Sequence, residues 1–297
     1  MDTRTTLFHQ HRSRLFGVAY RMLGSRADAE DVLQDAWLRW NESDVALLRN
    51  PEAWLVTVVT RLSIDRLRAL RSEREAYPGL WIPEPLLAEE VPAEDNASPE
   101  HTLETAQDIS LAFLTLLERL SPEERAAFLL RQVFGAEYAE VAEALGKSEA
   151  ACRQLVSRAA SQLKAERPRF TVSRETHLQL LRRFADAASQ GDFQQIKQLL
   201  AEDAELVGDG GAKVANFGKI LRGAQRLAQL YFAVALRHGK GMRLEIAEIN
   251  GQPGLLRYID GQLESIQEIE TDGERIVAIH TQRNPDKLAQ ALLFRGR

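Results

Sequence analysis

The sequence is poor in the residues that build stapled or membrane-embedded proteins. Cys152 is its single cysteine, which excludes an intrachain disulfide framework and a cysteine-based zinc site and makes a reducing compartment the simplest expectation. No stretch approaches the ~20 apolar residues of a membrane span, and the opening MDTRTTLFHQHRSRLFG lacks the apolar core of a signal peptide. An excess of positive charge is missing too: 38 Lys and Arg stand against 43 Asp and Glu, a formal net charge of -5. A protein that coats nucleic acid nonspecifically is thereby excluded, and any DNA contact has to be local. The expectation is a soluble, cytoplasmic chain with no membrane partner, long enough at 297 residues for two or three domains.

What is present is clearest between Tyr138 and Lys164. Tyr138, Val141, Ala142 and Leu145 recur at helical spacing, Gly146 interrupts, and Ser148 with Glu149 starts a second helix. Cys152, Val156, Ala159 and Leu163 form its apolar stripe, leaving Arg153, Gln154, Ser157 and Arg158 outside it. This is a helix-turn-helix pattern, whose second helix presents Arg for guanine, Gln for adenine and Ser for phosphate or base. An ordinary helical hairpin with a solvated face is the plain alternative. The local basic excess of Lys147, Arg153, Arg158, Lys164, Arg167 and Arg169 over Glu149 and Glu166 suits phosphate contact.

Upstream, a helical apolar pattern from Leu7 to Leu23 stops at Gly24, and a second runs through Val32, Leu33, Ala36, Trp37 and Trp40. Asp28, Asp31 and Asp35 share an acidic face of that second helix, by itself most simply a solvated face. A third helix starts at Pro51. It carries Trp54 and the arginines Arg61, Arg66, Arg68, Arg71 and Arg74, interleaved with Thr57, Thr60 and Ser63, a composition that fits melted or single-stranded DNA.

Here a resemblance becomes specific. DAEDVLQDAWLRW at Asp28 to Trp40, with PEAWLVTVVTRLSIDRLRALR after it, resembles region two of the bacterial extracytoplasmic-function sigma factors; LSPEERAAFLLRQVFGAEYAEVAEALGKSEAACRQLVSRAASQL resembles their region four. The resemblance implies RNA polymerase core, through its beta-prime and beta subunits, and promoter DNA as partners. Asp28, Asp31, Gln34, Asp35 and Trp37 would bind core polymerase. Trp54, Arg61, Arg66 and Arg68 would hold the melted minus-ten strand, and Ser148, Arg153, Gln154, Ser157 and Arg158 would read the minus-thirty-five element. Two departures stand out: Arg153, Gln154 and Leu155 replace the frequent Lys, Ser and Arg, and Arg61 stands where Asn is usual.

The linker from Ala76 to Glu104 holds seven acids, no Lys or Arg, and Pro78, Pro83, Pro85, Pro92 and Pro99. It reads as an extended acidic tether, disordered from Ala88 to Pro99. YPGLWIPEPLL within it is apolar and proline-stiffened, suited to docking in a groove.

Beyond Pro168 the chain continues with three helical patterns, ending near Gly191, Leu200 and Arg237, and then a period of two through Met242 to Ile246, Leu255 to Ile259, Ile266 to Ile269 and Ile276 to Ile279. Asp260-Gly261 and Asp272-Gly273 are hairpin signals. The order is similar to SnoaL-like domains. The expected architecture is therefore two all-α helical domains followed by an α+β SnoaL-like cone with a curved antiparallel sheet. The divisions fall at residues 1–75, 76–105, 106–168 and 169–297.

Three stretches resemble the sigma group that carries this extension: Trp81-Ile82-Pro83-Glu84-Pro85, Asp209-Gly210-Gly211-Ala212-Lys213 and Asn284-Pro285-Asp286-Lys287-Leu288. All but Ile82, Ala212 and Leu288 are expected to act in regulation between domains. Lys213 and Lys287 are the bases available to meet acids of the linker or region two, unless they are simply solvated.

No cofactor or metal motif is present, and no catalytic pairing. Were the cone catalytic, Asp209, His238 and His280 would be the acid or base candidates. The resemblance leaves room for a small ligand in the cone. The favoured function is a promoter-specificity subunit of RNA polymerase controlled in cis by its C-terminal domain. The rivals are a one-component transcription regulator with a ligand-binding SnoaL-like domain, and a cyclase or isomerase fused to a DNA-binding unit.

Overall fold

A computed structural model describes residues 3–44, 48–87, 109–164, 172–214 and 218–293. The acidic stretch expected to be disordered, Ala88 to Pro99, lies outside the described residues. The chain divides into two compact units. The first holds Met1–Glu75 and Phe113–Arg167; the second holds Ala76–Val91, His101–Ala112 and Pro168–Arg297.

The first unit is helical. α1 (Thr3–Leu23) stops at Gly24, whose φ of 64° only glycine adopts without strain. α2 (Arg26–Glu42) starts on Ser25, whose side chain accepts the Asp28 amide, and α3 spans Pro51–Glu75. Leu15, Leu23, Ala29, Ala36, Trp40, Leu55 and Val59 bury their side chains where these three helices pack. α4 (Leu111–Leu117) and α5 (Pro122–Phe128) follow; α5 starts on a capping box between Ser121 and Glu124, with Pro122 at its first position. It runs on into a π-helical turn, Leu129–Val133. α6 (Tyr138–Leu145) ends on left-handed Gly146, and α7 (Glu149–Lys164) completes the helix-turn-helix. Its small core comprises Ala127, Leu130, Val141, Ala144, Cys152, Leu155 and Val156.

The second unit is α+β. α8 (Arg174–Gln190) is capped by Ser173 and closed by Gly191, and α9 (Phe193–Leu199) is capped by Asp192. The helical reading carried one residue too far there, because Leu200 opens β1 (Leu200–Asp209). β2 (Leu221–Arg222), α10 (Ala224–His238), β3 (Met242–Ile249), β4 (Gln252–Ile259), β5 (Gln262–Thr271), β6 (Ile276–Gln282) and α11 (Pro285–Leu293) follow. The sheet order is β2-β1-β6-β5-β4-β3. It is antiparallel except between β1 and β6, which run parallel, and register shifts interrupt three of its pairings.

One face of the sheet packs on α8 and α10 through Phe184, Leu227, Tyr231, Leu255, Ile269 and Ile279. The opposite face is also buried: Leu256 and Ile266 lie under Leu87 and the α11 residues Leu288 and Ala291, while Val207 lies under Ile82 and Leu111. The apolar half of the linker thus covers a sheet face. Residues 80–86 lie there without regular secondary structure, and Leu87 makes an isolated antiparallel bridge to Ile249.

Candidate functional site

Three stretches far apart in sequence meet at one carboxylate. Asp209 ends β1 in register with Gln282 of β6, and its side chain is fully buried. Oδ1 accepts the Tyr77 hydroxyl at 2.6 Å and the Gly211 amide at 3.0 Å. Oδ2 accepts the Ile82 amide at 3.1 Å, Gln282 Nε2 at 3.3 Å and Lys287 Nζ at 2.8 Å. Lys287 also donates to the Ile82 carbonyl at 2.6 Å, and its Nζ lies 4.2 Å from the centre of the Trp81 ring. Buried charge is tolerated only when paired and hydrogen-bonded, and here both conditions hold.

The remaining motif residues support this centre. Asn284 donates to the Tyr77 hydroxyl at 2.9 Å and accepts the Asp286 amide at the start of α11, where Pro285 fills the first position. Gly211 has a φ of 57°, and a Cβ there would run into the Asn284 side chain. Ala212 holds a φ of 57° as well, a left-handed conformation that strains a residue with a Cβ. Gly210 is buried, Lys213 pairs with Asp286 at 2.6 Å, Pro83 and Pro85 are buried, and Trp81 and Glu84 are half-buried. Of the two lysines, Lys287 takes a linker carbonyl and Asp209, and Lys213 takes Asp286. Burial, then the hydrogen bond to Asp209, pushes the Tyr77 phenol well above its ordinary pKa.

Two anchors were not among the residues singled out from sequence. Asn250, fully buried at the β3–β4 turn, accepts the Leu86 amide at 2.8 Å and donates to the Ile109 carbonyl at 2.5 Å; its own amide donates to the Leu86 carbonyl at 2.7 Å. One side chain therefore ties Leu86 to Ile109. The Asn250-Gly251 pair, at φ of 49° and 74°, carries the same hairpin signal as Asp260-Gly261 and was there to be read. Glu268, buried in mid-strand, accepts the Leu111 amide at 2.9 Å and the Ala112 amide at 3.4 Å. Burial pushes its pKa up to about 8. A lone Glu inside a strand carries no sequence signal for capping a distant helix.

On the first unit, Asp31, Gln34 and Asp35 are exposed along α2, beside Leu38 at 55% exposure. Trp37 packs edge-on against Phe8. Asp28 differs, since its carboxylate binds Arg66 at 2.6 Å. On α3, Trp54 packs against Trp40, with ring centres 5.7 Å apart. Arg61 donates to the carbonyls of Ala144 at 2.9 Å and Glu143 at 2.7 Å, the last turn of α6, and Arg68 pairs with Asp65 and Glu123. Thr60 and Ser63, read as interleaved with the arginines, are fully buried and face the helical core instead. Arg125 and Arg74 converge on Glu118, while Arg125 also donates to the Met22 carbonyl and Arg74 to that of Leu23.

On α7, Arg153, Gln154, Ser157 and Arg158 are exposed on one side and Cys152, Leu155, Val156, Ala159 and Leu163 are buried. Ser148 Oγ accepts the Ala151 amide at 3.2 Å, so it caps the helix. Arg158 lies 3.4 Å from Glu124.

Of the acid–base candidates, Asp209 is saturated by five donors, His238 closes α10, and His280 Nδ1 lies 3.3 Å from Glu270 Oε1, its pKa lowered by burial. Among the described residues no group of three or more His, Cys, Asp or Glu is placed to hold a metal ion. Among them, too, no helix is long and apolar enough to cross a membrane.

Comparison with known proteins follows the same division. Residues 7–73 match the Sigma-70 region 2 family and residues 110–163 match Sigma-70, region 4. The chain is 36% identical over 290 residues to the ECF RNA polymerase sigma factor SigJ of Mycobacterium tuberculosis, covering 94% of this chain and 91% of that one. It is 30% identical over 271 residues to the ECF RNA polymerase sigma factor SigG of the same species, covering 84% and 71%. The crystal structure of M. tuberculosis SigJ superposes with a TM-score of 0.75 at 34% identity, covering 96% of this chain and 98% of that one.

Proposed function

Because the chain belongs to the ECF family of RNA polymerase sigma factors, we propose that it binds core polymerase through the exposed acidic side of α2, grips promoters at two points through α3 and α7, and is controlled in cis by its C-terminal domain. The beta-prime subunit is the partner suited to Asp31, Gln34 and Asp35, where exposed carboxylates would meet a basic surface beside apolar Leu38. Arg153, Gln154, Ser157 and Arg158 form the minus-thirty-five reader. Trp54, Arg61, Arg66 and Arg68 serve the minus-ten strand, and they have to exchange their present partners for DNA. Arg61 gives up the end of α6, and Arg68 gives up Glu123.

The observation that carries control in cis is the convergence of Tyr77, Ile82, Gly211, Gln282 and Lys287 on Asp209. The linker joining the two promoter-reading regions is held by the domain that follows them, so any change in that hold alters how the regions are presented. The filled Asp209 acceptors argue for a structural role of this carboxylate rather than a catalytic one.

The test is run-off transcription with core polymerase and the full chain on a promoter-fragment library. Transcripts are expected from a subset of fragments. Asp31→Lys or Asp35→Lys should abolish capture of core polymerase, an outcome a one-component regulator would not give. Asp209→Ala should change transcript yield at unchanged core capture. Absence of any transcript from active core with the wild-type chain would sink the sigma reading, and an unchanged yield in Asp209→Ala would sink control through the clamp alone.

A further inference from the structure

Arg153 on the proposed reading helix is held from two sides. The Tyr138 ring of α6 lies with its centre 4.4 Å from the guanidinium carbon, and Glu149, one turn earlier on α7, accepts from Nη2 at 3.0 Å. The same Tyr138 ring takes a second guanidinium, that of Arg131, at 5.0 Å. Arg131 is fixed in turn by the Ala136 carbonyl at 2.9 Å and by Glu137 at 3.4 Å. Two guanidiniums thus share the Tyr138 ring, and the contact with Arg153 bridges the two helices of the motif. Arg153 nevertheless leaves 54% of its side chain exposed.

We propose that Tyr138 is a positioning residue for promoter readout: it orders the Arg153 guanidinium so that its planar fork meets a guanine edge, making Arg153 a determinant of base identity. A phosphate contact needs a charge near the backbone and tolerates a mobile side chain. Bidentate recognition of guanine needs the plane of the fork fixed, and a side chain ordered before binding loses less freedom on contact. The Tyr138 ring supplies the plane, and Glu149 sets rotation about the end of the side chain. The signal was in the sequence, since Tyr138 opens the motif, but periodicity assigned it only to the apolar stripe.

This inference rests on α7 being the minus-thirty-five reader, and the experiment separates the two. Holoenzyme assembled from core polymerase and full-length variants selects from DNA randomised over the minus-thirty-five element. Arg153→Ala is expected to erase a guanine preference at one position. Tyr138→Leu should reduce that same preference about two- to fivefold, the scale of one exposed cation–π contact, and leave the other positions and the salt dependence of binding unchanged. Tyr138→Phe keeps the ring and should match the wild type, which also controls for folding. If Arg153→Ala erases the preference while Tyr138→Leu preserves it, or if Tyr138→Leu weakens every position equally, the positioning role is overturned. If Arg153→Ala leaves all positions as they were, the reading of α7 falls and this inference with it.

Discussion

Removing the Asp209 carboxylate is the sharpest perturbation this molecule offers. In Asp209→Ala the Lys287 ammonium, 9% exposed, loses its anionic partner and retains the Ile82 carbonyl and the aromatic faces. The Ile82 amide loses its acceptor at the same time. Breaking one side of a buried pair costs about 3–5 kcal/mol, and an unmet buried amide costs about 1–3 kcal/mol. The two overlap, so about 4 kcal/mol is a fair expectation for opening of the linker from the sheet. Since about 1.4 kcal/mol is a factor of ten, hydrogen exchange at Ile82 should accelerate by roughly a thousandfold. Lys287→Met leaves the carboxylate with four neutral donors, which holds the cost to the low end of the buried-pair range, about 3 kcal/mol, with the double variant recovering part of the sum. Exchange in peptides spanning residues 77–87, measured by mass spectrometry on the full chain, reads all three. Acceleration below tenfold in Asp209→Ala, or strict additivity with Lys287→Met, would refute the account of this site as a coupled ionic clamp.

Other perturbations follow from the same contacts. Asn250→Gly keeps the left-handed backbone but removes the side chain that ties Leu86 to Ile109, so limited proteolysis within residues 77–87 should speed up about thirtyfold, reflecting two lost buried hydrogen bonds of about 1 kcal/mol each; an unaltered rate would show that the tie is idle. Glu268 has a folded pKa raised above its ordinary 4.5, to about 8, so its protonated form is favoured on folding and stability falls as pH rises from about 5 to 8. Glu268→Gln should flatten that fall in thermal melts taken across the range, and an unchanged slope would assign it to another group. For Glu118, burial opposes ionisation, yet Arg125 and Arg74 hold the carboxyl below its usual range. Its contribution is present above pH 4.5 and lost as pH falls, and Glu118→Gln should remove about 3 kcal/mol at neutral pH from the denaturant-induced unfolding of the helical unit; a loss under 1 kcal/mol would contradict the pairing.

The helices and strands of this chain were legible because their causes are local. Gly24, Gly146 and Gly191 end helices where the apolar period stops, Ser25, Ser148 and Asp192 cap their successors, and the change of period near Met242 marks the sheet. β1 was not legible, since Leu200 continues the helical spacing of Ile196 and Leu199 and only the partner strand β6 decides the matter. The recognition face on α7 could be read from spacing alone, for a helix exposes what its stripe leaves over. The roles of Arg61, Arg66 and Arg68 could not, because a guanidinium on a helix surface has the same sequence signature whether it awaits DNA or binds a carbonyl or carboxylate of the protein.

Proline explains why the linker is recognised by this particular set of groups. Pro78, Pro83 and Pro85 cannot donate, so an ordinary strand partner would find gaps along the segment. The C-terminal domain instead meets it atom by atom. Where the segment offers carbonyls, at Ile82 and Pro83, the domain presents the donors Lys287 Nζ and Gln282 Nε2. Where it offers amides, at Ile82 and Leu86, the domain presents Asp209 and Asn250 as acceptors. Apolar Ile82, Leu86 and Leu87 are buried along the same stretch, Ile82 and Leu87 packing against the sheet. Replacing Pro83 by Ala would add a donor at a site organised around carbonyl recognition, and the alternation makes that amide, rather than any lost apolar contact, the expected source of weakened docking.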